Sequence, residues 1–135
     1  MNRLIAAVFI CMLFFACSKN NTAGQEAIVG KWELRESDGG FVGTIKYQPG
    51  NGNQLKFDDK NGFQSFYAGV ISYSGTYEIT KSALAGDWLL QLHYIINNQP
   101  ATQKDSVRFN ASALIFLPVA SCCDIPTISY ERIFF

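Results

Sequence analysis

Ile28-Val29-Gly30-Lys31-Trp32-Glu33-Leu34 is the stretch on which the fold turns. Alternation places Ile28, Gly30, Trp32 and Leu34 on one face and Val29, Lys31 and Glu33 on the other, the pattern of a half-buried first strand. Gly30 has no Cβ, so a second segment can approach the backbone there. Trp32 is large enough to fill the floor of a barrel. Burying its ring removes ~150–250 Å² from water, worth several kcal/mol at ~25 cal/mol per Å². The last strand expected, residues 127–135, carries Arg132 among Ile128, Tyr130 and Phe134.

Between these two ends the chain reads as strands and turns, and no window of a dozen residues has clean helical periodicity. Asp38-Gly39-Gly40 ends the first strand, and residues 41–47 make the second, with Phe41, Ile45 and Tyr47 on one face. Pro49-Gly50-Asn51-Gly52-Asn53 is a broad turn. Leu55 and Phe57 mark a short third strand, and residues 63–68 a fourth beyond the Asn61-Gly62 hairpin loop. Residues 71–80 alternate most cleanly: Ile71, Tyr73, Gly75, Tyr77 and Ile79 face one way, and Ser72, Ser74, Thr76, Glu78 and Thr80 the other. Trp88, Leu90, Leu92, Tyr94 and Ile96 line one face of the next strand, which Asn97-Asn98-Gln99-Pro100 should end. Residues 106–109 and 113–117 form a hairpin about Asn110-Ala111-Ser112. About eight short strands with short connections predict an all-β, up-and-down antiparallel barrel, which leaves no free sheet edge.

The blocks Gly30-Lys31-Trp32, Leu55 to Gly62 (LKFDDKNG), Ser74 to Ile79 (SGTYEI) and Tyr130-Glu131-Arg132 occur in an order that resembles the small lipocalin-like lipoproteins of Bacteroidota. The resemblance covers residues 28–135. It implies a closure in which Arg132 lies over the indole of Trp32 beside Gly30, a contact of ~0.5–2 kcal/mol that ties the first strand to the last.

Residues 1–16 are a targeting segment to be set aside from the fold. Arg3 is followed by an unbroken apolar run of twelve residues, Leu4 to Phe15. As a helix that run spans ~18 Å, short of a ~30 Å hydrocarbon core. Phe14-Phe15-Ala16-Cys17 then resembles a bacterial lipobox, which implies cleavage before Cys17 and acylation of its thiol with chains such as palmitate. Residues 17–27 are expected to form a lipidated, flexible tether, and residues 28–135 the barrel domain. At ~5–6 Å × √n the tether would hold the domain within ~20 Å of the membrane. Ser18 after the cysteine differs from the aspartate that retains lipoproteins in enterobacterial inner membranes, so the expected address is the outer membrane, facing the periplasm.

Eleven basic and eleven acidic residues cancel, which gives no basis for nucleic-acid binding. No catalytic set stands out, and the expectation is a non-enzyme without cofactor or metal. His93 is the sole histidine, on the strand face opposite Trp88, Leu90 and Leu92, and no second histidine gives metal-ligand spacing. Asp58 and Asp59 sit beside Lys60 in a hairpin loop and read as a solvated turn. Cys122-Cys123 admits a strained vicinal disulfide, two packed thiols, or a soft-metal or redox site. The inward aromatics Tyr73, Tyr77, Trp88 and Tyr94 either line a pocket or fill it, since an eight-stranded barrel is just wide enough for one small ligand. Two functions follow. One is a cell-envelope lipoprotein whose barrel mouth binds a small apolar or amphipathic molecule. The other is a filled barrel whose surface docks an envelope protein.

Overall fold

A computed structural model describes residues 19–40, 42–84, 86–118 and 125–134. The targeting segment, Cys17, and the Cys122-Cys123 pair lie outside the described residues.

One helix and nine strands follow in order among the described residues: α1 (Lys19–Ile28), β1 (Gly30–Asp38), β2 (Ile45–Lys46), β3 (Gln54–Phe57), β4 (Gly62–Tyr67), β5 (Val70–Lys81), β6 (Trp88–Ile96), β7 (Gln99–Phe109), β8 (Ala113–Leu117) and β9 (Thr127–Ile133). Each of β3 to β8 pairs antiparallel with its successor, and β1 joins both β3 and β9. The result is a closed, eight-stranded, up-and-down antiparallel barrel of lipocalin-like architecture. The two-residue β2 stands outside it and pairs only with Glu36 and Ser37 of β1.

That pairing divides one edge of β1. Its first half, Gly30 to Glu33, is laddered to β3, while Glu36 and Ser37 face β2. Between them the edge is bridged by single bonds. Leu34 N–H donates to Asn53 O at 2.9 Å, Tyr47 N–H to Arg35 O at 2.8 Å, and the Asn51 side chain to Leu34 O at 2.9 Å. On the other edge, the β1–β9 ladder runs from Lys31↔Ile133 to Asp38↔Thr127 with a bulge at Arg35.

Alternation sends one set of side chains inward on every strand. The densest packing is at the end where β1 begins. There Trp32, fully buried, meets Ile28, Phe57, Tyr77, Leu90, Val107 and Leu114. Phe57 and Tyr77 pack edge to face, with ring centroids 5.0 Å apart, and Trp88 stacks on Phe109 at 5.5 Å.

Three boundaries differ from the sequence reading. Residues 19–28 are not a flexible tether but α1, so the packed domain begins ahead of residue 28 and Ile28 is the helix's last, fully buried residue. Asn, Thr and Gly make the segment a poor helix on propensity alone. It is held by tertiary packing, because Gly24 presses so closely on Trp88 that a Cβ would overlap the indole's six-membered ring. The second strand shrinks from residues 41–47 to Ile45–Lys46; Gly39, Gly40 and Gly43 all take left-handed backbone, and Val42 reaches solvent. β7 starts at Gln99, seven residues earlier than the expected 106. Pro100 is tolerated because it sits beside the turn, opposite Ile95, where one lost donor costs little.

Candidate functional site

The two ends of the barrel are built differently. At the end where β1 starts, α1 lies across the opening and Arg132 locks it. The Cζ of Arg132 sits 4.2 Å from the centroid of the Trp32 ring. Its Nη1 donates to Val29 O at 2.9 Å, and its Nη2 donates to Ala27 O. Ala27 O is a terminal carbonyl of α1 and Val29 O lies just past its end; the helix's last turn contains no basic residue of its own. Arg132 therefore supplies from β9 the cation that a helix C-terminus favours. Trp32 Nε1–H donates to Ile28 O at 2.8 Å, so both partners of the cation–π pair also hold the helix end. A Cβ on Gly30 would come within 3.0 Å of Arg132 Nη1. Gly30, Trp32 and Arg132 are thus one assembly at the closed end.

Of the four aromatics expected in the interior, the structure separates two from two. Tyr77 is 1 % exposed and donates its hydroxyl to Asp58 O at 2.8 Å. Burial, then the charges of Asp58 and Asp59, push that hydroxyl up to about 12. Trp88 lies between Phe109 and α1. Both belong to the closed end, and neither lines the cavity described next. Tyr73 and Tyr94 lie nearer the other end, stacked with centroids 4.8 Å apart, and Phe63 meets both edge-on at 6.0 and 6.2 Å.

Among the described residues that other end is open. A cavity of about 430 Å³ extends from Tyr73 and Tyr130 past Leu34 and Ser65 to Tyr47 and Tyr67. This is within the roughly 300–1,000 Å³ typical of small-molecule sites. The sequence reading did not single out the polar part of this lumen. Gln103 and Asp105 are opposite Leu92 and Leu90, so both face inward with them. Gln103 Nε2 donates to Asp105 Oδ2 at 2.8 Å. Burial raises the Asp105 carboxyl above its usual range, against the opposing effect of Gln103. Tyr130, which lines the cavity with Tyr73 and Tyr47, is pushed up to about 12 by burial and then by the nearby Tyr73, Asp105 and Tyr47. Phe116 packs on Tyr130 at 5.6 Å. The signal for Asp105 was present: Gln103, Asp105, Val107 and Phe109 alternate in phase, and it was lost when the strand was started too late.

Exposed apolar side chains, aliphatic but for Tyr67, lie on the connections around the open end. Tyr67 and Val70 at the β4–β5 turn are 72 and 70 % exposed, and Ile95 at the β6–β7 turn is 69 % exposed. Val42, Ile45 and Ile125, on the two remaining connections at this end, are also exposed. Two turns at the closed end are polar: Asp58 caps its hairpin by accepting from Lys60 N–H and Gly62 N–H, and Asn110 accepts from Ser112 N–H and Ala113 N–H, while the β5–β6 turn exposes Leu84.

The outer wall holds the remaining candidates. His93 contacts Thr102 Oγ1 and Gln91 Nε2 at 3.1 Å and lies 3.8 Å from Glu78. Among the described residues no group of three or more His, Cys, Asp or Glu is placed to hold a metal ion. Glu33 is buried beneath the 48–53 turn. Burial alone would raise its carboxyl, but the Gly50 amide, the Gln54 amide and Arg35 outweigh it and hold it at about 2. No helix among the described residues is long and apolar enough to cross a membrane.

Fold and lumen together define a lipocalin-like barrel, plugged at one end and, among the described residues, open at the other. Comparison with family models, curated proteins and solved structures returned no match.

Proposed function

We propose that this chain is a non-catalytic cell-envelope lipoprotein, akin to the small lipocalin-like lipoproteins its sequence resembles, whose barrel mouth takes up a small apolar or amphipathic molecule. Acylated Cys17 would hold it in the outer membrane, facing the periplasm. The observation that carries the ligand reading is the open cavity over Tyr73 and Tyr130, framed by exposed aliphatic turns. A tyrosine-lined space with an apolar rim suits a molecule that is greasy along its length and polar at one end.

Nile red, a neutral dye that brightens on leaving water, tests this reading. Titration should give a saturable, single-site rise and an increase in melting temperature that grows with dye concentration. Ser65→Trp, which plugs the cavity from β4, should abolish the rise while leaving the far-ultraviolet circular dichroism unchanged. Absence of saturable binding, or equal binding by the plugged variant, would refute a ligand-holding mouth and favour a barrel that docks an envelope protein by its rim.

A further inference from the structure

We infer that the ligand of this mouth carries a positive charge: the structure assigns Asp105, within a wall of tyrosine and phenylalanine rings, as the receptor for the ammonium group of an organic cation with an apolar body. The inference rests on the ligand-binding reading above and names its chemical class.

Asp105 is the reason. It is an inward-facing carboxylate without an ion-pair partner among the described residues, its one side-chain bond coming from the neutral amide of Gln103. The inward-facing cations of the described strands, Arg132 and Lys81, are both at the closed end. Arg132 is committed to the carbonyls at the end of α1, and Lys81 is exposed at the end of β5. Arg35, at the bulge of β1, is engaged by Glu33 and Glu131. Nothing basic on these elements can reach Asp105 from within the lumen. A carboxylate drawn partly out of water and left with a neutral neighbour has unused acceptor capacity.

The rings add a second, independent preference. Tyr73 and Tyr94 stack, Phe63 abuts both, and Tyr130 packs on Phe116. Aromatic faces carry negative potential and attract quaternary or primary ammonium groups when water is excluded. Among the described residues the hydroxyls of Tyr73, Tyr94 and Tyr130 have no protein hydrogen-bond partner, so they are available to accept from a ligand as well as to donate to one. An anionic head group could accept from these hydroxyls but would face the Asp105 carboxylate with no inward-facing cation of the described strands beside it. The aliphatic turns at the rim match a hydrocarbon body leaving the mouth.

Displacement of Nile red by two twelve-carbon amphiphiles, both kept below their micellar concentrations, tests the assignment: dodecyltrimethylammonium and dodecanoate. The protein should bind the cation at least about tenfold more tightly, a difference of one order in Kd. Asp105→Asn keeps the Gln103 neighbour and the shape of the site; it should bind Nile red as before and lose most of the preference. Equal displacement by both amphiphiles, or better displacement by dodecanoate, would overturn the assignment while leaving the ligand-holding mouth intact. A preference that survives undiminished in Asp105→Asn would overturn the role of this carboxylate. If Nile red and both amphiphiles fail to bind, the mouth itself is refuted and the assignment with it.

Discussion

Replacing Arg132 by alanine removes three interactions at once, and the structure sets their sizes. The guanidinium carbon is 4.2 Å from the Trp32 centroid, close enough for a cation–π contact of ~0.5–2 kcal/mol. Two charge-assisted bonds, to Val29 O at 2.9 Å and to Ala27 O, also disappear and leave the α1 terminus without its cation. Part of the gain is spent in drawing the guanidinium from water: its pKa is lowered by burial, and Nε has no hydrogen-bond partner among the described residues. The net expectation for Arg132→Ala is a loss of ~2–4 kcal/mol. Trp32→Ala should cost ~3–5 kcal/mol, because the floor cannot collapse into a hole of that size. The two changes share a contact, so the double mutant should fall short of their sum by ~0.5–2 kcal/mol. Urea unfolding of the four proteins measures the cycle. Arg132→Lys separates the contributions: it keeps the charge over the ring but cannot bond both carbonyls, and should recover about half of the loss. A loss below ~0.5 kcal/mol for Arg132→Ala, or a coupling indistinguishable from zero, would refute the account of the closed end.

Acid should weaken the barrel through Glu33. Its carboxyl titrates at about 2 in the fold rather than at 4.5, so its contribution is fully present above pH ~4.5 and is lost as pH falls towards 2. Urea midpoints should show ~1–3 kcal/mol disappearing over that window in the native chain and much less in Glu33→Gln; equal acid losses in both would show that other carboxylates are responsible. Cys17→Ser should abolish incorporation of labelled palmitate in cells without shifting the melting temperature of the barrel, and label retained by the mutant would refute acylation at this residue.

The strands were largely legible because one-face burial writes itself as alternation. Trp88 to Ile96 and Tyr73 to Ile79 pair in the phase their sequences display. The pairing of Trp32 with Arg132 was implied by the resemblance to lipocalin-like lipoproteins rather than by any local pattern, and the β1–β9 ladder sets the two residues opposite each other. What escaped was stabilised from a distance. Residues 19–28 have the composition of a linker, and nothing local announces that Trp88 and Arg132 will hold them in a helix. Pro100 argues against a strand until its place next to a turn is known. Asp105 was hidden behind that same misplaced boundary. Among the tyrosines, depth separated floor from mouth: Tyr77 and Tyr73 lie on one face of one strand, and only the three-dimensional taper puts the first on Asp58 and the second beside the cavity.

The divided edge of β1 gives the barrel a preferred place to stretch. A fully laddered wall resists widening, because any strand pulled aside strands a row of amides and carbonyls. At the gap between β3 and β2 the wall is stitched by the Leu34–Asn53 and Arg35–Tyr47 backbone bonds and by the side chain of Asn51, which bonds both Leu34 O and Gln48 O. Opening this slit breaks a few isolated links and leaves every other pair of strands in register. Widening of the barrel is therefore least costly on this side, beside Tyr47 and Leu34, where it must also release the Gly50 amide from Glu33.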